Sequence, residues 1–130
     1  MEEEFVTYKQ ALALKELGFD EKCLSRYCVV TEWEKPTGEI LFQNIECNLS
    51  ERFLVKAPLK QQVFRWFREK HECYANLSSW IHEEEIGIYH EFEIYKVKQY
   101  SHGSIRFKTY EEAENACIDK LIEIAKESKS

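Results

Sequence analysis

From Pro58 to His82 the chain reads PLKQQVFRWFREKHECYANLSSWIH, and two periodicities follow one another within it. Leu59, Val63, Trp66, Phe67 and Lys70 recur at spacings of three and four, with Phe64 widening the stripe, while Lys60, Gln61, Arg65, Arg68 and Glu69 are left for water. Such spacing marks one face of a helix. The fixed φ and missing N–H of Pro58 suit a first turn, which predicts a helix running from there to His71 or Glu72. At Tyr74 the period falls to two. Ala75, Leu77, Ser79 and Ile81 alternate with Tyr74, Asn76, Ser78, Trp80 and His82, which predicts a strand with two unlike faces. A helix followed at once by a two-faced strand points to an α+β arrangement.

Working outward, Ile88 to Lys98 alternates in the same way and is joined to the first strand through Glu83 to Gly87, so the pair reads as a hairpin. Ser104 to Lys108 adds a short last strand after a loop at Tyr100 to Gly103. A final helix starts at Thr109. Thr109-Tyr110-Glu111-Glu112 has the capping-box form, Glu111, Glu112 and Glu114 complement the positive end of the helix, and Ala113, Ala116, Cys117, Leu121, Ile124 and Ala125 make its apolar face. Towards the N-terminus, Thr7 and Gln10 form another capping box, with Val6 and Ala11 placed as a hydrophobic staple. Tyr8, Ala11, Leu12, Leu14 and Leu17 give a helix from Tyr8 to Leu17, ended by Gly18. Arg26 to Trp33 and Glu39 to Asn44 read as strands around a turn at Lys35 to Gly38, and Asn48 to Lys56 as an irregular connection. The expectation is one α+β domain over residues 1–130. Its antiparallel sheet comprises two hairpins, four to five strands in all, with three helices packed mainly on one face.

Composition narrows the function classes. The chain has 130 residues, 18 Lys+Arg against 24 Asp+Glu and a net charge of −6, with 44% hydrophobic and 14% aromatic residues and only 4 Gly and 2 Pro. A globular domain of this length buries roughly 65–70% of the surface its unfolded chain exposes and needs no metal or disulfide staple. The acidic balance opposes counterion-release binding to phosphate backbones, so nucleic acid is a disfavoured partner. Basic residues do cluster at Lys60, Arg65, Arg68 and Lys70 and at Lys96, Lys98, Arg106 and Lys108, but Glu69 and Glu72 interleave with the first group. No apolar run approaches the roughly 20 residues needed to span a bilayer, and Met1-Glu2-Glu3-Glu4 lacks the basic start of a signal peptide. Five cysteines (Cys23, Cys28, Cys47, Cys73 and Cys117) form no CxxC pair, as expected of reduced thiols in a cytoplasmic protein without membrane contact.

Three segments carry a resemblance: Gln10 to Glu21 (QALALKELGFDE), Ala57 to Lys70 (APLKQQVFRWFREK) and Tyr110 to Glu123 (YEEAENACIDKLIE). Together they resemble a group of short bacterial and phage proteins to which no activity is assigned. The resemblance implies a context, phage or mobile-element cargo, and transfers no catalytic residue.

No catalytic constellation emerges from the residues themselves. Ser78, Ser79, Ser101 and Ser104 lack a nucleophile elbow, and Gly18, Gly38, Gly87 and Gly103 are too scattered to cradle phosphate. His71, Glu72, Cys73, His82 and His90 lack the close spacing of a zinc site, so no metal or other cofactor is expected. The informative pattern is the second hairpin. With its aliphatic sides turned to the helices, the opposite face carries Tyr74, Trp80, His82, Tyr89, Glu91, Glu93 and Tyr95. Aromatic rings with polar tips among acids are the makings of a protein-recognition surface. The expected function is therefore a non-enzymatic protein-binding module that engages a host protein, one of basic charge. The alternatives are a homo-oligomeric accessory protein and a small enzyme with a His/Glu site assembled by the fold.

Overall fold

The computed structural model describes residues 4–32, 35–44, 54–82, 87–96, 99–102 and 106–129. Its elements run α1 (Tyr8–Glu16), β1 (Ser25–Glu32), β2 (Lys35–Asn44), β3 (Leu54–Ala57), α2 (Lys60–His71), β4 (Tyr74–His82), β5 (Gly87–Lys96), β6 (Gln99–His102) and α3 (Tyr110–Lys129). By its internal packing the chain divides into two compact units, Met1–Lys60 and Gln61–Ser130. The class is α+β, and both sheets are antiparallel. The two hairpins do not share one sheet, however. Each gains a third strand and heads a sheet of its own, in the order β2-β1-β3 and β4-β5-β6. The helices divide accordingly, with α1 against β3 in the first unit and α3 over β5 and β4 in the second.

In the first unit the Thr7 capping box forms as its residues predict. The Gln10 N–H donates to Thr7 Oγ1 (3.2 Å) and the Thr7 N–H to Gln10 Oε1 (2.9 Å). The helix closes on Gly18 at φ 96°, where Gly18 N–H bonds Lys15 carbonyl and Phe19 N–H bonds Leu14 carbonyl. This 5→2 and 6→1 pair lets a left-handed residue satisfy the last carbonyls. Ala11, Leu14 and Leu17 are buried, but Leu12, counted on the same face, is exposed. Beneath α1 lies an aromatic cluster. Tyr27 meets Tyr8 (5.6 Å between centroids) and Phe42 (5.5 Å), Phe42 meets Phe5 (5.0 Å), and Tyr27 Oη donates to the Val6 carbonyl at 2.6 Å.

Two strand assignments differ from the sequence expectation here. Residues 35–38 belong to β2 rather than to a turn, and the β1–β2 register shifts between Val29 and Thr31. Pro36 is compatible with this because β2 lies at the sheet edge, where proline within a sheet is tolerated. The segment read as irregular ends in β3, which pairs with β1 from Ser25↔Ala57 to Cys28↔Leu54. Four residues running into a proline carry too little alternation to announce a strand, and β1 supplies the pairing. Trp33 and residues 48–53 lie outside the described residues.

In the second unit α2 keeps Val63, Phe64, Trp66 and Phe67 buried. Lys60, the first residue of α2 and the last of the first unit, is buried although its position on the wheel assigns it to water. The helix ends where Glu72 turns left-handed (φ 55°) and Cys73 N–H reaches back to the Phe67 carbonyl (3.1 Å). In α3 the Glu112 N–H donates to Thr109 Oγ1 (3.1 Å), and Ala113, Cys117, Ile118, Leu121, Ile122, Ile124 and Ala125 are buried. β6 occupies residues 99–102, most of which the sequence reads as a loop; of the strand expected over Ser104 to Lys108, Ser104 and Ile105 lie outside the described residues, and Phe107 bridges to His90. No helix among the described residues is long and apolar enough to cross a membrane.

Candidate functional site

The β4–β5 register decides which side chains share a face. Tyr74 stands opposite Tyr95, Asn76 opposite Glu93, Ser78 opposite Glu91 and Trp80 opposite Tyr89, while Leu77 faces Phe92 and Ser79 faces His90. Successive side chains point to opposite sides, so these pairs fall into two sets. Phe92 and Ile94 are buried, and the His90 ring meets Tyr110 of α3 edge-on at 5.8 Å. Theirs is the helix-covered side. The other side carries Tyr74, Trp80, Tyr89, Glu91, Glu93 and Tyr95, the residues expected on a recognition face. Tyr74 (54%) and Tyr95 (46%) are the most exposed of them, and Trp80, Tyr89, Glu91 and Glu93 are half-buried. His82 continues the ladder opposite Gly87, and its side chain lies outside the described residues.

One member of this face is absent from the sequence-based set. Phe107 and His90 exchange two backbone hydrogen bonds of 2.9 Å, and the Phe107 ring stacks on Phe92 at 6.3 Å and 27°. With Phe107 committed to the helix side, the preceding residue turns the other way. The Arg106 guanidinium carbon lies 4.7 Å from the Trp80 ring centroid and 5.8 Å from that of Tyr89, and Arg106 Nε stands 3.9 Å from Glu91 Oε1. Trp80 and Tyr89 are themselves 5.9 Å apart at 47°. The sequence alone places Arg106 only in a basic cluster. The usable signal was the alternation within Ser104 to Lys108, which puts Arg106 opposite in facing to Phe107. Such a stacked, partly exposed cation contributes about 0.5–1 kcal/mol, and an ion pair at this exposure about 0–1 kcal/mol. At the other end of the face the Tyr95 hydroxyl donates to the Glu93 carboxylate, aiming an acid along the tyrosine.

The helix-covered side holds the nearest approach to catalytic chemistry. Ser79 Oγ and His90 Nδ1 are 2.6 Å apart, across strands. Nucleophilic catalysis asks in addition for a group that orients the imidazole and for donors aimed at an oxyanion. The same imidazole packs against the Tyr110 ring with the two planes nearly perpendicular, and the Ser79–His90 contact links the two strands. Among the described residues, no three of the His, Cys, Asp and Glu side chains are placed to hold a metal ion. His71 is instead engaged with the rings of Trp66 (4.8 Å) and Phe67 (5.5 Å).

The described cysteines are buried free thiols. Burial, and secondarily the Glu114 carboxylate, pushes the Cys117 thiol up to about 12, and burial pushes Cys23 up to about 11. Thiolate is the reactive form, so neither is a nucleophile at neutral pH. No family model matches the chain, and neither curated proteins nor solved structures give a match.

Proposed function

We propose that the chain is a non-enzymatic protein-binding module, encoded by a phage or mobile element, that engages a host protein through the open face of β4 and β5. The observation that carries this reading is the Trp80–Tyr89 pair, held half-exposed beside Glu91, with Tyr74 and Tyr95 at the other end of the same face. Large rings with polar tips supply contact area at small entropic cost, and acids at the rim steer a basic partner. The face belongs to a sheet that packs against α3, and Phe92 and Ile94 on its other side are buried. In affinity recovery from the native host lysate, Trp80→Ala and Tyr89→Ala should each lower partner yield at least tenfold while circular dichroism stays unchanged. Recovery that survives both changes overturns the reading.

Self-association is a second reading with its own observation. Ile81 and Ile88 face each other across the hairpin end and are 73% and 55% exposed. Apolar pairs left in water favour a second copy. Sedimentation that gives a monomer at high micromolar concentration would exclude it.

A further inference from the structure

We infer that the Trp80–Tyr89–Glu91 cluster is an arginine-recognition site, that the partner presents an arginine from a basic segment, and that Arg106 is an internal occupant which this arginine displaces. The inference rests on the binding-module reading and names the partner chemistry. Three observations carry it. First, a guanidinium already fits: Arg106 lies 4.7 Å from the centroid of Trp80 and 5.8 Å from that of Tyr89, with its Nε 3.9 Å from Glu91 Oε1. Two ring faces and a carboxylate around one planar cation form a complement that suits arginine better than lysine, because a planar guanidinium can stack on the rings while its charge stays beside the acid. Second, the occupant is weakly held. The Arg106 side chain is 49% exposed, and its carboxylate contact is at ion-pair rather than hydrogen-bond distance. Third, the surroundings favour a basic chain. Glu93 lies on the same face, its carboxylate held by the Tyr95 hydroxyl, and the molecule carries a net charge of −6.

Arg106 therefore keeps the rings covered in the free protein and lowers apparent affinity by the fraction of time it occupies them. For an exposed stacked guanidinium that occupancy corresponds to an equilibrium constant of about 2 to 5, so removing Arg106 should tighten binding about three- to sixfold.

The test is a titration of the full chain into a fluorescently labelled arginine–glycine peptide at low salt, read by anisotropy, with the matched lysine–glycine peptide alongside. Arg106→Ala should bind the arginine peptide about three- to sixfold more tightly than the wild type, and Arg106→Gln, which keeps most of the side-chain length, should do the same. Glu91→Gln should weaken binding, and the lysine peptide should bind more weakly than the arginine peptide. Equal or weaker binding by both Arg106 variants, or equal binding of the two peptides, overturns the inference. Its failure is separable from failure of the module itself. If Trp80→Ala still abolishes partner recovery while the Arg106 variants show no gain, only the arginine inference falls. If Trp80→Ala leaves recovery intact, the module reading falls.

Discussion

Glu72 occupies the left-handed region at φ 55°, where a Cβ is a steric burden and glycine is not. The position exists because α2 must stop at once for β4 to begin, and the Cys73 N–H completes the stop on the Phe67 carbonyl. Glu72→Gly should raise stability by about 0.5–1 kcal/mol, read as a shift in the urea midpoint at constant slope. A lowered midpoint would show that Glu72 stabilises the chain through its side chain. The thiols make a second prediction at this scale. Cys117 and Cys23 are held up at about 12 and about 11 from an ordinary value of 9.0. A thiol whose folded value is raised favours the fold fully below its unfolded value and loses that contribution as pH climbs towards the folded one. The urea midpoint should therefore fall as pH rises from about 9 towards about 11, and Cys117→Ala should show a smaller fall over the same interval. Equal falls in the two proteins would count against this assignment.

At the scale of elements, the helix ends were legible because their signals are local. Thr7 and Gln10 bond each other across three residues, and Thr109 caps α3. Thr7→Ala should cost about 1 kcal/mol in chemical denaturation, and a variant as stable as the wild type would mean that the box adds nothing to stability. Strands were legible where alternation is long, as in β4, whose bounds match the sequence expectation. They were not legible at β3 and β6, four residues each, since so short a stretch becomes a strand only when a neighbour offers its ladder. Arg106 went unassigned to the site for the same reason: its facing follows from the pairing of Phe107 with His90, a contact distant in sequence.

For the whole molecule, the division into Met1–Lys60 and Gln61–Ser130 has a measurable consequence. Leu14 and Leu121 are fully buried, one in each unit. Leu14→Ala and Leu121→Ala should each cost about 2–5 kcal/mol. In native-state hydrogen exchange the first should lower protection of the Tyr27 and Cys28 amides more than that of Phe92 and Ile94, and the second the reverse. Equal loss everywhere would make the chain one cooperative unit. By itself the sequence determined what nearby residues decide: three helices, two of them capped by Thr7 and Thr109, the α+β class, and the alternation that collects Tyr74, Trp80, Tyr89, Glu91, Glu93 and Tyr95 on one face of a hairpin. Only the tertiary structure decided that the hairpins head two sheets, that short strands complete them, and that Arg106 covers the Trp80–Tyr89 pair. Those outcomes depend on which backbone edges meet, and local periodicity says which way a side chain points without saying what will stand opposite it.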